Sequence, residues 1–433
     1  MDRLLHFLNT SPTPFHAVEA ARKILAEHGF QLLREEDPWV LAPGSRYVVT
    51  RSDASLVAFT LPTRFNAPPP LLLAAAHTDS PTLKVKPNPL KRKKDYLALD
   101  LMVYGGALLS TWFDRDLSLA GRVYYLDHLG TEKQIDLDMA RPVTRIPNLA
   151  IHLQKSGGDE QKINPHEELS APFQLTLNQA KNGDSPPQQP FIDLLVNEIR
   201  RLDPTSLPVH LLAWDLQLYD TQPARLAGVD QQWIVGSRLD NLLSVYATVV
   251  ALARHAATPS HSLAMIALFD HEETGSLSMA GAAGNFLQSL LLRIYPDGHS
   301  LARAMPGSLL LSLDNAHGYH PNYPARQDEN HAPHINGGVV VKHHAGQRYV
   351  TQGATAARIK VLAARAAVSL QDFTVRADMP CGSTVGPTLS ARLGIPAVDL
   401  GLPSWAMHSV RETAGCQDMR DLLRLLEAFF AQT

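Results

Sequence analysis

Continuous apolar runs and helical stripes take turns along this chain. Four runs, "PLLLAAAHTDS", "SLAMIALF", "SLLLSLD" and "IPAVDLGLP", are short, uninterrupted and bounded by turn residues, the pattern of strands buried on both faces. A helix is predicted after Thr13 as N-cap and Pro14 as first helical residue, with Phe15, Val18, Ala21 and Leu25 on one face and Gly29 as its stop. "LDNLLSVYATVVALARHA" also reads as a helix. So does the closing "DMRDLLRLLEAFFAQT", whose stripe of Leu422, Leu425, Leu426, Phe429 and Phe430 predicts core packing.

Between about Lys91 and Gly228 the period falls to two. "RVYYLDHLGTEKQIDLD" predicts a hairpin with a Gly-containing loop, and "HLLAWDLQLYD" a strand with Leu212, Trp214, Leu216 and Leu218 on one face. "KSGGDEQKINPHEE" and "KNGDSPPQQP" are turn-rich and predict loops. The expected architecture is therefore α/β: a mixed, mostly parallel sheet flanked by helices, formed by residues 1–90 and 229–433, with a β-rich domain inserted at 91–228.

Composition narrows the function. A chain of 433 residues, 45% hydrophobic and 19% charged, suits two globular domains. The net charge of −3 offers no electrostatic basis for binding nucleic acid or an anionic membrane. The one basic run, Lys91-Arg92-Lys93-Lys94, meets Asp95 at once and reads as a solvated loop. Two cysteines, Cys381 and Cys416, make neither a disulfide framework nor a thiolate zinc site. No apolar segment approaches the roughly 20 residues of a membrane helix, and the N-terminal "MDRLLHFLNTSPTPFH" lacks a signal-like apolar core. A cytoplasmic location is expected.

The chemistry gathers where the apolar runs stop. His77 and Asp79 follow the first, Glu272 and Glu273 the second, Asp314 the third, and His408 lies shortly beyond the fourth. In a parallel sheet the carboxyl ends of neighbouring strands share one edge, so these side chains converge there, and Asp240 joins them from the start of a helix. Two imidazoles and three carboxylates suit zinc, and with only two histidines among five ligands, two ions sharing a bridging carboxylate fit better than one. Two Zn²⁺ bring four positive charges, balanced by Asp240, Glu273, Asp314 and a hydroxide. Glu272 is then left to move protons, because a divalent cation lowers the pKa of a water it holds towards about 7. The reaction implied is amide hydrolysis. Asp79 is placed to orient the His77 imidazole through the nitrogen that does not face the metal.

The ordered segments "AAHTDSPTLKVKPNP", "GSRLDNLLS", "DHEETGS", "DNAHGYHPNYPARQDENHAP", "NGGVVVKHHAGQRYVT", "DMPCGSTVGP" and "AMHSVRE", with "YGGALLSTWFDRDLSLAGRV" and "RIPNLAIHLQK" in the insertion, resemble the aspartyl aminopeptidase family of dinuclear zinc exopeptidases. The resemblance implies a zinc exopeptidase-like fold, one ion on His77 and Asp314, another on Glu273 and His408, Asp240 bridging, and Glu272 as general base. Co²⁺ or Mn²⁺ could stand at one site. It implies removal of N-terminal Asp or Glu from short peptides with a free N-terminus, with Lys342 facing the substrate carboxylate and Gly382, Ser383 and Thr384 lining the pocket. It further implies a tetrahedral homo-dodecamer built from dimers, with His152 delivered to a neighbouring subunit and the insertion serving dimerisation and gating. His317 is a candidate donor to the tetrahedral oxyanion. Thr274, Asn315 and Gly318 depart from forms common in the family, and no ligand is altered.

Two other readings are weighed against this one. A dinuclear metal-dependent deacylase or carboxypeptidase would need the same ions, and differs in lacking recognition of a free α-amine. A non-catalytic metal scaffold would have no use for Glu272 beside Glu273.

Overall fold

The computed structural model describes residues 1–64, 68–154, 163–177, 188–256 and 261–432. The chain divides into two compact units: Met1–Ser80, Ala224–Met407 and Glu412–Thr433 form one, and Pro81–Pro223 with His408–Arg411 form the other.

The larger unit is built on a nine-stranded sheet. In chain order its strands are β1 (Gln31–Leu33), β2 (Arg46–Arg51), β3 (Ser55–Thr60), β4 (Leu71–His77), β5 (Leu263–Phe269), β6 (Leu309–Leu313), β7 (Val339–His343), β8 (Leu370–Thr374) and β9 (Ala397–Gly401). Their spatial order is β1-β2-β3-β5-β4-β6-β9-β7-β8. The central run β5-β4-β6-β9 is parallel throughout, with antiparallel pairs β2-β3, β3-β5 and β9-β7 towards the edges. The four apolar runs picked out above are these four central strands.

Their unbroken apolar character follows from helices on both faces. Leu72, Ala74, Ala76, Ile266 and Leu268 enter one core layer, while Leu71, Leu73, Ala75, Met265 and Ala267 enter the other. The first layer is closed by helices Pro14–Glu27, Leu239–His255 and Cys416–Phe430, the second by Phe286–Ile294 and Val385–Leu393. Truncating a fully buried leucine in such a layer costs about 2–5 kcal/mol, so the strand ends are a rigid base for a site. Helix Pro14–Glu27 starts as its sequence predicts, with Thr13 accepting the His16 N–H. Ala17 rather than Phe15 completes its buried stripe. A short helix, Asp2–Asn9, precedes it unpredicted and buries Leu4, Phe7 and Leu8. All five residues of the C-terminal stripe are buried. A second, five-stranded sheet joins Arg225–Ala227, Trp233–Gly236, Glu412–Gly415, Pro403–Trp405 and Ala316–His317.

The smaller unit carries a six-stranded antiparallel sheet in the order Glu132–Asp138, Leu117–Asp127, Pro208–Asp220, Thr82–Lys93, Tyr96–Tyr104 and Ala171–Leu175. It opens earlier than Lys91 because Thr82–Lys93 is one of its strands. Pro87 and Pro89, which obscure that strand in the sequence, lie where the register with Tyr96–Tyr104 shifts between Val85 and Leu90, a position where proline is tolerated. The basic run therefore begins on a strand, with Lys91 bonded to Asp100 at 3.3 Å, and is not simply a loop. Leu212 also departs from expectation. A register shift between Leu211 and Ala213 turns Leu212 outward, so Leu211, Trp214, Leu216 and Leu218 meet the core. Helix Gln189–Leu202 covers the sheet through Phe191, Leu195 and Ile199. The loops expected at 155–168 and 181–190 lie largely outside the described residues, and the first ends in a short helix, Pro165–Glu168. Among the described residues no helix is long and apolar enough to cross a membrane.

Candidate metal centre

Parallel pairing of β5, β4 and β6 brings their carboxyl ends to one edge. His77, the last residue of β4, lies in register with Phe269, the last of β5. The chain then turns through His271, whose φ of 64° is left-handed, into a single 3-10 turn, Glu272–Thr274, closed by Gly275 at φ 94°. Left-handed non-glycine residues cost of order 1–3 kcal/mol and concentrate at functional sites. Arg238, two residues before Asp240, and His408 are likewise left-handed, with φ of 60° and 67°.

The buried Asp79 carboxylate holds the Glu272–Thr274 turn. Its Oδ1 accepts the Glu272 N–H and its Oδ2 the Glu273 N–H, each at 3.1 Å. Asp79 also flanks His77, as its sequence position predicts, but the closer approach to Nδ1 is by the Asp79 main-chain oxygen at 3.1 Å, with Oδ1 at 3.4 Å. The other ring nitrogen, Nε2, lies 3.4 Å from Asp240 Oδ1. Asp240 sits at the start of Leu239–His255, where it and Asn241 have non-helical backbone angles.

One donor atom from each of His77, Asp240 and Glu273 lies within 4.8 Å of the other two. An imidazole with two carboxylates, His77 and Asp240 both buried, is a zinc-type donor set. Its electrostatics call for a cation. Burial works against a charged His77, yet Asp240 and Asp79, with Glu272 behind them, raise its pKa well above the usual histidine value. Burial pushes the Glu272 carboxyl up to about 8, His77 opposing and Asp314, Asp79 and Asp240 reinforcing. The donor set therefore fits the metal its chemistry implies.

Asp314 follows β6 and stands outside that three-residue cluster. Burial pushes its carboxyl up to about 6 against the pull of Lys342, whose Nζ is 3.8 Å away. Lys342 is 1% exposed, donates to the Asn315 main-chain oxygen at 3.1 Å and lies 4.9 Å from the Tyr349 ring centre. Only glycine fits at 401, since a Cβ there would come 1.9 Å from the Asp314 oxygen.

The remaining predicted residues fall in both units. His408 belongs to the smaller unit, half-buried, its Nδ1 3.1 Å from the Gly106 oxygen. His152 is also in that unit, exposed on the 3-10 turn Ile151–Leu153. His317 is exposed and edges onto Phe373. Gly382 and Ser383 are exposed, whereas Thr384 is buried, capping helix Val385–Leu393 and donating to Asp399 Oδ1 at 2.7 Å. Sequence reasoning missed Ser80, Asn241, Glu412 and the fully buried Asp399, all of which hold main chain or hydroxyls around these residues. A lone glutamate in the otherwise neutral, buried strand Glu412–Gly415 was the available signal for one of them.

Comparison with known proteins finds relatives over nearly the whole chain. A model of the aminopeptidase I zinc metalloprotease family, M18, matches residues 7–430. A probable M18 family aminopeptidase 2 of Azotobacter vinelandii is 45% identical over 428 residues, covering 99% of this chain and 97% of the relative. Among solved structures, one from a cryo-EM complex of Ape4 and Nbr1 superposes with a TM-score of 0.94 at 38% identity, covering 99% of this chain and 84% of that one. The Saccharomyces cerevisiae mApe1 dodecamer gives 0.83 at 26% identity, covering 99% and 95%.

Proposed function

The chain belongs to the M18 family of zinc aminopeptidases, and from that premise we propose that it removes acidic N-terminal residues from short peptides with two zinc ions and Glu272 as general base. Zinc-dependent aminopeptidase activity is the family's. The ion count, the acidic preference and the residue roles are our reading, and the observation that carries it is the gathering of His77, Asp240 and Glu273 beside Glu272 at the ends of β4 and β5.

In this reading His77 and Asp314 would hold one ion and Glu273 and His408 the other, with Asp240 available to both. When bound, such ions polarise the scissile carbonyl and acidify the attacking water. Glu272 takes the water's proton on a carboxylate oxygen and returns it to the leaving amine. Asp79 holds His77 and the Glu272–Glu273 amides in place, and His317 donates to the developing oxyanion. Lys342 has three donors, of which the Asn315 oxygen takes one; another faces the acidic substrate side chain, beside Gly382, Ser383 and Thr384. By analogy with the mApe1 dodecamer, the protein assembles from dimers into a tetrahedral dodecamer in the cytoplasm. The inserted unit serves as the dimerisation and gating element, with His152 reaching a neighbour's site.

A panel of dipeptides beginning with Asp, Glu, Ala or Lys, assayed after chelation and after adding back zinc, cobalt or manganese, tests the reading. Chelation should abolish turnover, zinc should restore it, and Asp- and Glu-peptides should be fastest. Cleavage of N-acetylated dipeptides at the same rate as free ones would replace the aminopeptidase with the deacylase alternative.

A further inference from the structure

We propose that Ser80 and Glu412 are positioning residues that grip the main chain of Asp240 from its two sides and thereby aim its carboxylate at the metal. The proposal rests on the reading of Asp240 as a metal ligand.

Asp240 is poorly served by its own helix. The first N–H groups of any helix have no partner within it, and the usual remedy is a capping side chain. Here the N-cap is Arg238, which makes no side-chain cap, and Asp240 and Asn241 lie outside helical geometry. Both main-chain groups of Asp240 are satisfied from far away instead. Glu412 Oε2 accepts its N–H at 3.0 Å across 172 residues of sequence, and Ser80 Oγ donates to its carbonyl oxygen at 2.7 Å across 160. All three residues are buried.

The anchors lie on the segments that carry the other candidate ligands. Ser80 follows Asp79 directly, on the stretch leaving His77. Asn241, which follows Asp240, donates through Nδ2 at 2.7 Å to the main-chain oxygen of Leu313, the residue before Asp314. Three side chain to main chain bonds therefore tie the Asp240 turn to the ends of β4 and β6 and to the strand Glu412–Gly415. With N–H and C=O both held, the Cα–Cβ direction has little freedom left. A carboxylate meant to share cations with groups from two other strands needs that precision, since sites must be held within about 0.5 Å of their working geometry.

The test uses the full-length protein. Zinc affinity is measured by competition with a chromogenic chelator, and melting temperature is measured on the zinc-free form. Ser80→Ala and Glu412→Ala should each weaken zinc binding by about 10- to 100-fold, the range for residues that orient metal ligands, while Glu412→Gln, which keeps an acceptor oxygen, stays within about threefold of the parent. Two results overturn the proposal: alanine variants that melt lower yet bind zinc as tightly as the parent, or a Gln variant that loses as much as Ala. Should Glu412→Ala fail to fold, Ser80→Ala decides. Asp240→Ala separates the underlying reading: parent-like zinc binding there would mean Asp240 is no ligand, whereas loss there with Ser80→Ala unaffected would sink the clamp alone.

Discussion

Replacing Asp79 by asparagine puts the largest question to this site with the smallest change in shape. The substitution turns one acceptor oxygen into an NH₂ group, yet Asp79 accepts main-chain N–H groups at both oxygens, from Glu272 and Glu273. One amide must then face a donor. A hydrogen bond to a charged acceptor contributes about 1.5–3 kcal/mol, and a buried amide left unpaired costs about 1–3 kcal/mol. These overlap, so about 2–4 kcal/mol is lost at the turn presenting both glutamates, which at about 1.4 kcal/mol per decade is roughly 30- to 700-fold in kcat/KM. The assay is steady-state hydrolysis of an Asp- or Glu-initiated dipeptide across a zinc titration. Asp79 acting only by orienting His77 would chiefly weaken metal binding, and excess zinc would restore the rate. Asp79 acting through the Glu272 and Glu273 amides misplaces the base as well, so the rate stays low at saturating zinc. Full recovery with excess zinc, or kcat/KM within about threefold of the parent, would refute the argument.

Two further outcomes are expected. Glu272→Gln should keep its zinc, measured by elemental analysis, and lower kcat by about 10²- to 10⁴-fold; retained turnover would remove Glu272 from the proton-transfer role. His255 is buried, its Nε2 has no hydrogen-bond partner among the described residues, and burial lowers its pKa. A depressed folded-state value means that the unfolded chain binds the proton more tightly, so this stability is present above about pH 6.5 and is lost as pH falls through the folded value. His255→Phe, packing against Phe430, should flatten the acid-side fall in melting temperature of the zinc-free protein between about pH 7 and 5, and an unchanged slope would contradict the assignment.

The central sheet was legible because burial on both faces leaves a mark in local sequence: four apolar runs, each stopping at a polar residue. The same logic marked His77 and Glu273, whose donor atoms lie within reach of each other, since the end of a buried strand is where polar side chains begin. Features that depend on register were not legible. Leu212 was assigned to the wrong face because one irregularity in the ladder reverses the alternation, and the opening strand of the insertion was hidden by prolines placed at such an irregularity. Ser80 and Glu412 left even less trace. A side chain bonded to main chain 160 or 172 residues away has no period and no local motif. Asp79 lies between these cases: its nearness to His77 follows from spacing, but its grip on the Glu272 and Glu273 amides depends on how β4 and β5 pair.

Why a fold would keep this many acids together is a question of charge. Glu272, Asp314 and His77 are all raised towards their protonated forms. Lys342 lies beside Asp314, and its ammonium together with a protonated His77 sets two positive charges against the five carboxyl groups of Asp79, Asp240, Glu272, Glu273 and Asp314. Selection for stability alone would favour apolar replacements, because buried charges seldom repay their desolvation. Their presence in one place is accounted for by a ligand of concentrated positive charge, whose binding drives off the protons that the metal-free site retains. Such a site also needs a base that will not relax away from its own repulsion, and the two apolar layers enclosing β4, β5 and β6 supply it. The stability stored in the sheet is what allows an unfavourable cluster of acids to be held ready at its edge.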